Sequence, residues 1–181
     1  MEHFHEKIHG FFNCANLYRR MVEEAQNGSV FVELGVFKGK SAAYMGVEIL
    51  NSKKKIEFYA VDHFLGSPEH VNDPAVKDNK LKEECYLNLT PVMGVVRMLP
   101  VASHTAAAMF ADESIDFIYI DAAHEYDAVK ADIQAWLPKV KVGGVFAGDD
   151  YGIPNHPDVK KVVDEFFPNA EHEGWVWWIK K

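Results

Sequence analysis

The chain alternates short apolar runs with longer segments in which apolar residues recur every three or four positions. "SVFVEL" (29–34) is β-branched and apolar, the pattern of a buried strand. "KSAAYMGVEIL" (40–50) follows as a helix, "IEFYAVD" (56–62) as a second strand, and "VVRMLPVAS" (95–103) holds a third. "IDFIYID" (115–121) predicts a fourth strand with an acid at its far end. Beyond it, Tyr126, Val129, Ile133 and Trp136 share one helical face. "VGGVFAGDD" (142–150) predicts a Gly-Gly turn opening a fifth strand that ends in acids. "HPDVKKVVDEFF" (156–167) reads as a helix from near Pro157, and "NAEHEGWVWWIKK" as two strands around Gly174. Ahead of the first strand, "ANLYRRMVEEA" (15–25) predicts an amphipathic helix. Strands alternating with helices imply a parallel, doubly wound α/β sheet, here with a closing strand pair that is at least partly antiparallel.

No repeat, low-complexity tract or linker divides the 181 residues, so one domain (1–181) with a substantial core is expected. Its parts are an N-terminal helical cap (1–28), a core (29–151), and a C-terminal helix with strands (152–181). Hydrophobic residues at 48% and charged residues at 25% argue against disorder, and no apolar run approaches the roughly 20 residues of a membrane span. The N-terminus "MEHFHEKIHG" is unlike a secretory signal. Cys14 and Cys85 form no C-x-x-C pair, so two reduced thiols in a cytoplasmic protein are expected. A net charge of −8 with no basic stripe disfavours nucleic acid as a partner; a small molecule fits better. His3, His5 and His9 read as solvated residues and "WVWW" as a packed strand.

In an open α/β sheet, ligands bind at the carboxyl ends of the strands. Those ends carry Glu33 and Gly35, Asp62 and His63, Ser103 and His104, Asp121, and Asp149 with Asp150. Five carboxylates on one edge repel one another unless a cation or a hydrogen-bonding ligand offsets them. "FVELGVFKGKS" (31–41) ends like a phosphate loop, but three residues separate Gly35 from Gly39 where that loop needs four. Glu33 repels a triphosphate and suits an ammonium group. Ser41 near the following helix start faces an anionic group, so a ligand end carrying both amine and carboxylate satisfies both. Asp62, 23 residues beyond Gly39, is placed to accept from ribose hydroxyls. Asp121, Asp149 and Asp150 lie on two strand ends 28 residues apart and offer the oxygen donors Mg²⁺ prefers. His124, three residues after Asp121, is a candidate general base for a hydroxyl held there.

Jointly, "ELGVFKGKS", the acid of "FYAVDHF", "IYIDAAH" and "GGVFAGDDY" resemble class I S-adenosylmethionine-dependent methyltransferases over residues 29–151. The likeness is nearest to the metal-dependent O-methyltransferases of the catechol type and of the macrocin or sugar type. It implies a Rossmann-like, mostly parallel seven-stranded sheet. It also implies that Glu33, Gly35, Gly39 and Ser41 hold the methionine end of the cofactor, with Asp62 at the ribose and His63 beside it. Ser103 and His104 fall near the adenine, and Asp121, Asp149 and Asp150 on Mg²⁺. The chain departs from the catechol type in carrying His124 where that type has a lysine base, and Asp150 where it has asparagine; the sugar type has aspartate there. Its N-terminal region is shorter than in either type, so the acceptor is not inherited from either. The resulting expectation is O-methylation of a small hydroxylated molecule (a sugar, a catechol-like compound or another metabolite), with Asp121 and His124 as catalytic residues and a homodimer as one possible assembly. A metal-dependent hydrolase and a non-catalytic S-adenosylmethionine-binding module are the alternatives.

Overall fold

The computed structural model describes residues 1–67 and 70–181. Seven strands form one sheet: β1 (Val30–Leu34), β2 (Glu57–Val61), β3 (Val96–Leu99), β4 (Ile115–Ile120), β5 (Val140–Gly148), β6 (Glu171–Glu173) and β7 (Val176–Lys180). Their order is β3-β2-β1-β4-β5-β7-β6. The first five run parallel, and β7 inserts antiparallel between β5 and β6. The strand order reverses between β1 and β4, the switch point at which such sheets open a crevice for ligands.

The helices are α1 (Ala15–Glu24), α2 (Lys40–Ser52), α3 (Pro74–Lys77), α4 (Leu81–Leu89), α5 (Ser103–Ala107), α6 (Tyr126–Trp136) and α7 (Pro157–Phe166). Their apolar stripes bury two cores. Tyr18, Met21 and Val22 of α1 and Met45 and Ile49 of α2 pack with Phe31, Phe58 and Phe117. Val129, Ile133 and Trp136 of α6 and Val162 and Val163 of α7 pack with Val32, Ile118 and Phe146. A central sheet so covered explains why β1 and β4 read as continuous apolar runs rather than alternating ones. No helix among the described residues is long and apolar enough to cross a membrane.

Three expectations change. Gly143 and Gly144 lie inside β5, not before it. Ile115 pairs with Val140 and Phe117 with Val145, so β5 bulges there, and Gly143 takes φ +83°. His5 is buried, edge-on to Phe12 and Tyr44, and its pKa is lowered chiefly by burial. His3, though stacked on Tyr44 and 2.8 Å from Glu48, stays exposed like His9, so only His5 of that trio departs from a solvated residue. Ser103 starts a helix four residues beyond the end of β3 at Leu99.

Candidate active site

The glycine loop is shaped by what it must pass. Gly35 follows β1 with φ +82°, and a Cβ there would stand 1.7 Å from the Asp121 carbonyl oxygen at the end of β4. Gly39, with φ +89°, caps α2. Asp62 locks this loop to the one after β2. Its Oδ2 accepts from the amides of Val36 (2.9 Å) and Phe37 (2.8 Å), and its Oδ1 from Phe64 (2.7 Å). An ionised carboxylate has about four acceptor sites, so Oδ1 keeps one for a ligand hydroxyl. Lys38 is buried and pairs with Asp73 (2.9 Å) and Glu84 (3.2 Å), while Lys40 donates to the Gly10 carbonyl (3.1 Å). Both lysines thus fasten the loop to its flanks instead of waiting for a phosphate.

Glu33 is 1% exposed and accepts from the Tyr18 hydroxyl of α1 (2.9 Å) and the Ser41 hydroxyl of α2 (2.6 Å). Burial outweighs these two bonds and moves its pKa from 4.5 to about 7. The folded chain therefore favours the protonated acid, and stability falls as pH rises from the ordinary carboxylate range to about 7, by up to roughly 3 kcal/mol. Glu33→Gln is expected to abolish this share of the fall. Comparing urea midpoints at pH 5 and pH 8 for both proteins measures it; equal pH dependence in the two would refute the assignment.

Across the crevice, the Asp121 amide donates to the Leu34 carbonyl (2.8 Å), joining the end of β4 to the end of β1. Asp149 follows β5, and its amide donates to the Ile120 carbonyl (3.0 Å). Its Oδ1 accepts from Asn13 Nδ2 (2.9 Å) and the Asp150 amide (2.8 Å). Asp150 adopts a left-handed φ of 63°, and its Oδ2 lies 2.7 Å from His124 Nε2. His124 sits on the loop before α6, not on the helix. A cavity of about 10 Å³ is lined by Asp121, His124, Asp149 and Asp150, with Ile120 and Trp177 among its apolar walls. That is close to the room one water-sized sphere needs. Burial, then Asp149 and Asp150, hold the Asp121 pKa well above the carboxylate range; burial likewise raises that of Asp149. Three crowded carboxylates, met by the His124 imidazole at Asp150, offer the oxygen donors that a small divalent cation takes.

A second cavity, about 380 Å³, opens between the start of α1 and the β6–β7 hairpin. Asn13, Asn16, Glu173, Trp175 and Trp178 are in its lining, and Asn13 links it directly to Asp149.

The outer residues are placed differently. His63 is half-exposed, and its Nδ1 accepts from the Leu65 amide (2.9 Å); His104 is exposed on α5. Ser103 turns toward α6: its hydroxyl donates to Asp132 and accepts from Trp136 Nε1 (2.8 Å). Asp132 is buried and its pKa is raised mainly by that burial. Ser103→Ala strands both partners and is expected to cost about 1–3 kcal/mol of unfolding free energy, read from denaturant midpoints. The sequence does not single out Tyr18, Asn13 or His156, each of which reaches the site through tertiary packing, nor the role of Lys38 in bracing the glycine loop.

A family model described as a methyltransferase domain matches residues 32–151, and the chain belongs to that family, the S-adenosylmethionine-dependent methyltransferases of class I. No curated protein sequence matches it significantly. Among solved structures it is similar to the O-methyltransferase NovP (21% identity, 92% of this chain and 78% of that one, TM-score 0.69). It is also similar to CalS11, a TDP-rhamnose 3'-O-methyltransferase of calicheamicin biosynthesis (17%, 92% and 76%, 0.64). A third is an S-adenosylmethionine-dependent O-methyltransferase from Thermotoga maritima (15%, 92% and 55%, 0.61). At these identities the likeness carries the fold: the seven-stranded Rossmann-like sheet with its antiparallel closing strand.

Proposed function

We propose that the protein methylates a hydroxyl oxygen of a small, hydroxylated molecule, using S-adenosylmethionine as donor and Mg²⁺ at the acidic cluster. The observation that carries this is the meeting, at one sheet edge, of the Asp62-locked glycine loop with the Asp121, Asp149 and Asp150 group.

Glu33, Ser41 and the start of α2 bind and orient the methionine end of the donor, with Glu33 held by Tyr18 behind them. Asp62 Oδ1 takes a ribose hydroxyl, and His63 and His104 border the adenine, while the Ser103 hydroxyl stays with Asp132 and Trp136 of α6. Asp121, Asp149 and Asp150 would hold the cation, which would lower the pKa of an acceptor hydroxyl. The acceptor occupies the cavity beside Asn13, where amide and carboxylate groups meet hydroxyls and Trp175 offers an exposed ring. The His124 imidazole takes the hydroxyl proton on its acceptor nitrogen as the methyl passes to oxygen, and Asp150, 2.7 Å from Nε2, steadies the resulting imidazolium. A donor that is already activated leaves alignment and water exclusion as the main tasks of the chain.

A screen of sugars, catechols and related metabolites with labelled methyl donor tests this reading. Transfer to one of them, abolished by EDTA and restored by Mg²⁺, is expected. Transfer unaffected by EDTA would remove the cation, and donor binding without transfer to any hydroxyl would favour a binding module.

A further inference from the structure

The side chains that converge most tightly at this edge are not the three aspartates. His124, Asp150 and His156 each present one donor atom such that all three lie within 4.8 Å of one another. The chain builds this deliberately. Asp150 in its left-handed turn points at His124, the Ile153 amide donates to the Asp150 carbonyl (3.3 Å), and the His156 amide to Ile153 (3.0 Å). These successive turns bring the 151–156 segment back over the end of β5. His156 caps α7 just before Pro157, and its ring comes to 4.1 Å from that of His124. All three residues are partly buried, held in place yet open to an entering ion.

We propose that His124, Asp150 and His156 form a second cation site, selective for Zn²⁺ and similar transition ions, that switches the enzyme off. Two imidazoles and one carboxylate suit Zn²⁺, Co²⁺ or Ni²⁺, whereas Mg²⁺ seeks an all-oxygen shell. Donors about 2.0–2.2 Å from such an ion stand some 3–4 Å apart, so the trio needs only a small opening of the 2.7 Å His124–Asp150 contact. An ion there holds the His124 ring and so withdraws it from proton transfer. It also draws Asp150 from the aspartate group, so the two sites exclude each other through that shared carboxylate. The inhibitory consequence rests on the function proposed above; the binding site does not.

Titration of the wild-type protein with Co²⁺, without methyl donor, tests the site by the visible absorption of the bound ion. A saturable band is expected, bleached by equimolar Zn²⁺ and weakened by Mg²⁺ only at a large molar excess, through the shared Asp150. His156→Asn is expected to weaken Co²⁺ binding at least about tenfold while keeping its unfolding midpoint. In the activity assay, Zn²⁺ should inhibit the wild type, and that inhibition should need about tenfold more ion in His156→Asn. Absence of a band in the wild type, its bleaching by equimolar Mg²⁺, or equal Co²⁺ affinity in His156→Asn would each overturn the site. Tight Co²⁺ binding without Zn²⁺ inhibition would overturn the switch alone.

Discussion

Gly35→Ala is expected to destabilise the protein by about 3–5 kcal/mol, the largest effect of any single methyl group at this edge. Two causes act together. The residue sits at φ +82°, where a side chain is strained, and the added carbon would meet backbone atoms: the Asp121 carbonyl oxygen at 1.7 Å, its carbon at 2.5 Å and Ala122 Cα at 2.8 Å. Backbone cannot swing aside as a side-chain end can. Relief requires parting β1 from β4, and that moves Glu33 and Asp121 together. Denaturant unfolding should show the loss. A change under 1 kcal/mol would mean that the two strand ends do not pack as described. Gly152, also at positive φ but with open space around its missing Cβ, is the control that isolates strain from collision.

Asp121→Asn is expected to separate stability from activity. Burial and the neighbouring Asp149 and Asp150 raise the Asp121 pKa, so its ionised form costs the folded state free energy at neutral pH. Asparagine keeps the shape and drops the charge. Unfolding free energy at pH 7 should rise by about 1 kcal/mol or more, and the gain should vanish below the ordinary carboxylate range, where wild-type Asp121 is protonated folded and unfolded alike. Methyl transfer should fall by about 10²-fold or more, with loss of the cation's ligand and of charge opposite the donor. Parallel melting curves and initial rates check both parts. A variant that is both less stable and fully active would contradict the role given to the acidic cluster.

The sheet and the residues at its edge were legible because buried parallel strands leave long apolar runs, and the runs of β1, β2, β4 and β5 stop at an acid or a glycine. The short helices left weaker marks. Leu81, Cys85 and Leu89 of α4 bury one side of a nine-residue helix, and α5 spans five residues, too few for a period to stand out. Gly143 and Gly144 have turn chemistry, yet pairing of β5 with β4 and β7 absorbs them as a bulge. Tyr18, Asn13 and His156 carry no local signal at all. Tyr18 meets Glu33 only because α1 packs over the sheet, and Asn13 reaches Asp149 across 136 residues of chain. Ser103 was read from its position after a strand, but the buried Asp132 and Trp136 of α6 take its hydroxyl. The 64–80 segment carries little recognisable pattern, and residues 68 and 69 within it lie outside the described residues.

The central claim is that the loops after β1 and β2, fastened by Asp62, form the seat of the methyl donor. Calorimetric titration with S-adenosylmethionine tests it most directly. One site per chain is predicted, with a Kd of about tens of micromolar or tighter, weakened at least about tenfold in Asp62→Asn. No binding heat up to about 1 mM at two temperatures, or equal affinity in Asp62→Asn, would contradict it.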